Sequence, residues 1–254
     1  MKKVILLFSV FVYQLCCAQK NETIFYTDDD GAIVKEKNAS FLVEKIKLND
    51  TLWEFNTYKI YGSLIKTYHT KDEKGAIKNG DYFSIKRGGG DTTGYFSNNK
   101  KDQEWNIYTS SNRLLKRIIY QNDVLINEKD STQVQAEARI ENAKSKDSSK
   151  DVVFKKVEIE SSFPGGASAW AKYLGNNLHY PKDAIKKDIQ GTVVVQFIVN
   201  KEGKVENVRV VRSLEYSLDK EAARIIRESP DWTPAVQDGR TVKSYKLQPI
   251  VFKL

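Results

Sequence analysis

Gly191-Thr192-Val193-Val194-Val195-Gln196-Phe197-Ile198-Val199, followed by Asn200-Lys201-Glu202-Gly203, is the stretch that decides the fold. Val193, Val195, Phe197 and Val199 recur at every second position, the period of a strand with one buried face. Val194 and Ile198 on the opposite face predict cover on both sides of the sheet. Gly203 stands where the loop needs a left-handed backbone, so residues 204–211 return as the second arm of a hairpin. Val205 and Val208 fall out of step on that arm, which predicts a bulge between them.

The segments on either side of the hairpin read as helices. Trp170, Tyr173, Leu174 and Leu178 lie at i, i+3, i+4 and i+8 over residues 168–178. Tyr180-Pro181 breaks that helix and starts a short one with Pro181 at its first position, where a missing N–H matters little. Ala184 and Ile185 then face inward. Ser217 is the expected N-cap of a helix reaching about Glu228, with Leu218, Ala222, Ile225 and Ile226 as its stripe and Glu221, Arg224 and Arg227 outward. Pro230 ends it. Gln237-Asp238-Gly239 turns into a strand from 241 or 242 to 252. The fold class that follows is an α+β C-terminal domain, two or three helices on a small antiparallel sheet, over residues 152–254.

Ordered motifs run through this domain: Phe163-Pro164-Gly165-Gly166, Tyr180-Pro181, Gly191-Thr-Val193-Val-Val195-Gln-Phe197, Gly203-Lys-Val205, Leu218-Asp219-Lys-Glu221-Ala222, Pro230-Asp-Trp232-Thr-Pro234 and Pro249-Ile250-Val-Phe252. Together they resemble the C-terminal domain of TonB, in the form found among Bacteroidetes-type energy transducers. The resemblance implies a periplasmic domain that adds a short extended peptide, the TonB box of an outer-membrane receptor, to a sheet edge. The matching edge strand holds Lys243, Ser244, Tyr245, Lys246, Leu247, Gln248 and Ile250, and the second contact segment is Tyr180 and Pro181. The implied partner is a TonB-dependent outer-membrane receptor or another periplasmic protein segment. A second reading is an envelope scaffolding protein that uses the same domain without energy transduction. A homodimer and an inner-membrane motor complex both stay open. All five prolines lie in the C-terminal domain, so the stiff spacer of a full transducer is not seen.

The N-terminal part predicts a mainly β domain of hairpin or meander type over residues 19–127. Alternating runs such as Trp53-Glu-Phe55 and Leu114-Leu115-Lys-Arg-Ile118 are broken by Asn79-Gly80 and Gln121-Asn122-Asp123. Gly80-Asp81-Tyr82-Phe83-Ser84-Ile85 is echoed at Gln103-Glu104-Trp105-Asn106-Ile107-Tyr108. This echo resembles MORN-like, YwqK-type repeats, except that Gln103 replaces the usual Gly. Residues 128–151 lack Gly, Pro and aromatics and read as a polar linker, partly helical near 132–143.

Residues 1–18 read as a signal peptide, with Lys2 and Lys3 before an apolar run and Ala18 at the cleavage position. Lipidation of Cys16 or Cys17 and an uncleaved anchor are the alternatives. Both cysteines lie in this leader. The net charge of +8 is spread along the chain and forms no nucleic-acid arm. His69 and His179 have no cysteine near them, Asp28-Asp29-Asp30-Gly31 lacks calcium-loop spacing, and Gly88-Gly89-Gly90 is followed by no Lys-Ser or Lys-Thr. No catalytic residue, metal site or cofactor is expected, and the protein reads as a non-enzyme.

Overall fold

A computed structural model describes residues 21–85, 90–109, 111, 113–144, 153, 154 and 157–254. The leader, Gly88 and Gly89 of the triple glycine, and residues 145–151 of the expected linker lie outside these residues. Among the described residues no helix is long and apolar enough to cross a membrane.

The N-terminal unit is one ten-stranded antiparallel sheet. Its strands are β1 (Glu22–Thr27), β2 (Ile33–Val34), β3 (Phe41–Asn49), β4 (Leu52–Lys59), β5 (Leu64–Thr70), β6 (Lys78–Ile85), β7 (Asp91–Ser97), β8 (Lys100–Tyr108), β9 (Leu114–Gln121) and β10 (Val124–Asp130). Their spatial order is β10-β9-β8-β7-β6-β5-β4-β3-β1-β2, a meander with only the first two strands exchanged. The sequence echo has a physical counterpart. Asn99 N–H donates to the Lys78 carbonyl at 2.8 Å while Lys78 N–H donates to Asn99 Oδ1 at 2.7 Å. Asp123 and Lys101 repeat the exchange at 2.8 and 2.6 Å. Gly80 and Gln103 occupy equivalent places, and both have positive φ, 116° and 58°. The departure at Gln103 therefore keeps a positive φ without the glycine.

Aromatic side chains fill the middle of this sheet. Trp105 is buried against Tyr82, Phe96 and Tyr120, with ring centroids 5.4, 5.1 and 6.3 Å away. Gly94 makes room for it, since a Cβ there would sit 2.2 Å from the indole. The ladder runs past the expected boundary at 127 to Asp130. Helix α1 (Ser131–Lys144) follows at once, started by a capping box. Asp130 Oδ1 accepts from the N–H groups of Thr132 and Gln133, and Gln133 Oε1 accepts from Asp130 N–H. Val134 buries this helix against the sheet, so part of the expected linker packs on the N-terminal unit.

The C-terminal unit holds β11 (Val153–Phe154), α2 (Gly166–Asn177), α3 (Lys182–Lys186), β12 (Gly191–Val199), β13 (Val205–Arg212), α4 (Tyr216–Arg227), β14 (Ala235–Gln237) and β15 (Arg240–Phe252). The sheet order is β11-β15-β12-β13, with β14 also paired to β15. It is antiparallel except for β11, which runs parallel to β15. Val193, Val195, Phe197 and Val199 face Leu218, Ala222, Ile225 and Ile226 of α4, and all are buried. Burying one such side chain is worth about 1.5–3 kcal/mol. Phe163, Trp170, Tyr173 and Trp232 close the core beside them. The bulge falls where Val205 and Val208 change step, with Asn207 at φ 51°.

Three local expectations are corrected. The cap of α4 is Glu215, not Ser217, because its longer carboxylate reaches the N–H groups of both Ser217 and Leu218. Ile185 is exposed, while Ala184 alone of α3 enters the core. The second face of the sheet is not uniformly covered. Ile198 is buried and Val194 half-buried, but Leu247 and Val251 are exposed on β15.

The two units meet through α4. Lys220 Nζ lies 2.7 Å from Glu44 and 3.0 Å from Glu22, and Tyr216 donates to Glu22 at 2.7 Å. Glu44 is only 2% exposed and also accepts from Asn56 Nδ2. Burial raises the Glu44 pKa. Lys220 is shifted upward as well, because Glu44 and Glu22 outweigh its own burial. Tyr58 meets Tyr216 edge to face at 5.2 Å, and Leu64 N–H donates to Ser213 Oγ at 2.7 Å.

Substitutions at Gly94, Gly175 and Lys220 test this packing. Gly94→Ala should lower stability by about 1–3 kcal/mol in urea melts, while Gly175→Ala, on open helix surface, should raise it by up to about 1 kcal/mol. Lys220→Met leaves Glu44 buried without its cation. A loss of about 1–3 kcal/mol is expected, discounted for the partial exposure of Lys220, and Lys220→Met with Glu44→Leu should recover most of it.

Candidate peptide-docking edge

Strand β15 pairs with β12 over nine positions, from Gly191 opposite Phe252 to Val199 opposite Ser244. Ser244 also pairs with Phe154, so β11 must lie on the other side of β15. Beyond Ser244, no described strand takes that other side over residues 245–252. Their outward main-chain groups are the natural template for another strand.

The expected contact residues divide by face. Ser244 and Ile250 point into the core and are buried, so they contribute backbone rather than surface. Tyr245, Lys246 and Gln248 are half-buried, and Leu247 is exposed. Lys243 pairs with Val153 of the chain itself. Lys246 Nζ donates to the Ser161 carbonyl at 2.6 Å, which fixes the side chain under the strand. Pro249 removes one backbone donor within this stretch.

Tyr180 and Pro181 separate. The Tyr180 ring meets Phe252 edge to face at 5.6 Å, and its hydroxyl donates to the Ile189 carbonyl at 2.7 Å. It therefore braces the far end of β15. Pro181 instead lines an open groove against α4 with His179, Tyr216, Lys220, Arg224 and Arg227.

Glu221 holds this connection in place. It was expected outward, but it is buried and accepts the His179 N–H at 2.7 Å. Arg224 donates to Glu221 and to the Asn177 carbonyl, both at 2.7 Å. The pair thus ties the α2–α3 connection to α4, and the Glu221 bond raises the Arg224 pKa further. A helical stripe counted on apolar residues could not reveal this inward polar pair. Val153, Phe154 and Ser161 were also missed as site neighbours. The apolar run Val152-Val153-Phe154 beside a polar segment was the available signal.

His69 is not part of this edge. It lies 3.3 Å from Glu54 and within hydrogen-bond distance of the Asp81 carbonyl in the N-terminal sheet. Among the described residues no three side chains gather in a way that could hold a metal ion.

Residues 176–254 match the family described as Gram-negative bacterial TonB protein C-terminal. No curated protein and no solved structure matches the chain.

Asp219, in the first turn of α4, offers a pH test of the support behind the edge. Burial pushes its carboxyl up to about 7, against hydrogen bonds from Leu214 N–H and Ser213 Oγ. The folded carboxyl is thus a weaker acid than the ordinary 3.8, so the fold binds a proton that the unfolded chain releases. That stabilisation is complete below the ordinary value and is lost as pH rises through about 7. Relative to Asp219→Asn, the protein should lose about 2 kcal/mol between pH 5 and pH 8 in denaturant melts. A constant difference would contradict this assignment.

Proposed function

Since the C-terminal unit belongs to the family of TonB C-terminal domains, we propose that the protein serves TonB-dependent transport by capturing an extended segment of an outer-membrane receptor. The captured segment adds a strand to β15. Main-chain hydrogen bonds supply affinity, and alternate side chains supply selectivity. The observation that carries this reading is the stretch 245–252, paired to β12 on one side and to no described strand on the other. Lys246 and Pro249 on this stretch are the residues that discourage indiscriminate edge pairing.

The matched family is that of the C-terminal part of Gram-negative bacterial TonB proteins. For this chain, the reading places the domain in the periplasm after removal of the leader. A second reading, an envelope scaffold without energy transduction, is favoured by the inter-unit contact. The ion pair between buried Glu44 and partly exposed Lys220 fastens the TonB-like domain to a large sheet of the same chain. Normal siderophore, vitamin and glycan uptake in a deletion strain would select this second reading.

The direct test is calorimetric titration of the full chain with synthetic peptides copying the extended N-terminal segments of TonB-dependent receptors. Micromolar binding is expected, with loss of amide exchange along 245–252. The absence of heat at several hundred micromolar peptide (about 5 kcal/mol of binding free energy or less) would overturn the strand-capture reading.

A further inference from the structure

Strand β11 lies on the same side of β15 that the proposed partner would use. Val153 pairs with Lys243 and Phe154 with Ser244, in parallel. This is a two-residue ladder, and both side chains are only half-buried, outside the main core. The chain just after it is held much more firmly. Ile159 pairs with Val236 and Ser162 with Thr233. Glu158 accepts from Asp238 N–H at 3.1 Å. Ser161 is fully buried and contacts both Ser244 and Lys246. A short, weakly packed strand therefore hangs from a fastened base, beside the edge that a partner would extend.

We propose that β11 is an internal occupant of the docking edge, closing it at Ser244, and that it must leave before a longer partner strand can pair back to Lys243. The inference rests on the strand-capture reading of β15. Its physical basis is direct competition, because one side of a strand can form only one ladder at a time. The tether gives β11 the advantage of an intramolecular ligand, with an effective concentration on the order of millimolar. The same arrangement defines the partner it yields to: an extended segment long enough to run past the open 245–252 stretch. A shorter segment would bind without disturbing β11.

The experiment uses the full chain and a receptor-derived peptide of about twelve residues, long enough to cover β15 back to Lys243 at ~3.3 Å per residue. Val153→Pro with Phe154→Pro removes both amide donors of β11. Binding about five- to tenfold tighter than wild type is expected, with unchanged affinity for a six-residue peptide. A second variant closes the edge. Val153→Cys with Lys243→Cys, in a background of Cys16→Ser and Cys17→Ser, should bind the long peptide about tenfold more weakly when oxidised than when reduced. Equal affinities across wild type, opened and locked forms would overturn the inference while leaving strand capture intact. No binding by any form, the opened one included, would overturn both.

Discussion

Strand β15 has two sides, and the sheet uses only one of them in full. Nine successive pairs with β12 commit one side from Ser244 to Phe252. That commitment sets the register which turns Ile250 and Phe252 toward the core with Val193, Val195 and Phe197. Helix α4 can then cover this face with one apolar stripe, and Trp232 can close its end with a backbone bond to Gly203. Over residues 245–252 the other side of β15 meets no described strand and presents a row of main-chain donors and acceptors. The proposed function, and the competition at β11, both follow from that incompleteness.

Polar groups do the positioning around this core. Glu221 and Arg224 bind the α2–α3 connection to α4, which places Tyr180 against Phe252 at the end of the edge strand. Lys220, one residue before Glu221, turns the other way and reaches Glu44 and Glu22 of the N-terminal sheet. Helix α4 is therefore the mechanical centre of the molecule. It packs the sheet through its apolar stripe, braces the end of β15 through one polar pair and holds the N-terminal unit through another.

Much of this was legible in the residues. The alternation at 193–199, Gly203 and the misplaced valines of the return arm predicted β12, its turn and a bulge between Val205 and Val208, which the structure places around Asn207. The stripe of Leu218, Ala222, Ile225 and Ile226 predicted α4. The echo between residues 80–85 and 103–108 is accompanied by matching Asn99–Lys78 and Asp123–Lys101 exchanges. The capping box at Asp130 was readable too, but the surrounding polarity hid it. Period and turn chemistry are local properties, so they survive in a single sequence. Glu44, Glu221 and Ser161 did not show themselves, because a buried polar residue is recognised only by the partners that satisfy it, and Lys220, His179 and Ser244 are distant from them in the chain.

The sequence by itself indicated the main helices and strands of the C-terminal domain, most of their apolar faces and its likeness to the TonB C-terminal domain. It did so because side-chain period and backbone-restricting residues act within a few positions of one another. Tertiary structure alone decided which side of β15 stays open, that Val153 and Phe154 take part of it, and that α4 joins the two units through Lys220. Those outcomes depend on main-chain and side-chain groups that find their partners far along the chain, and no local pattern encodes a partner that far away.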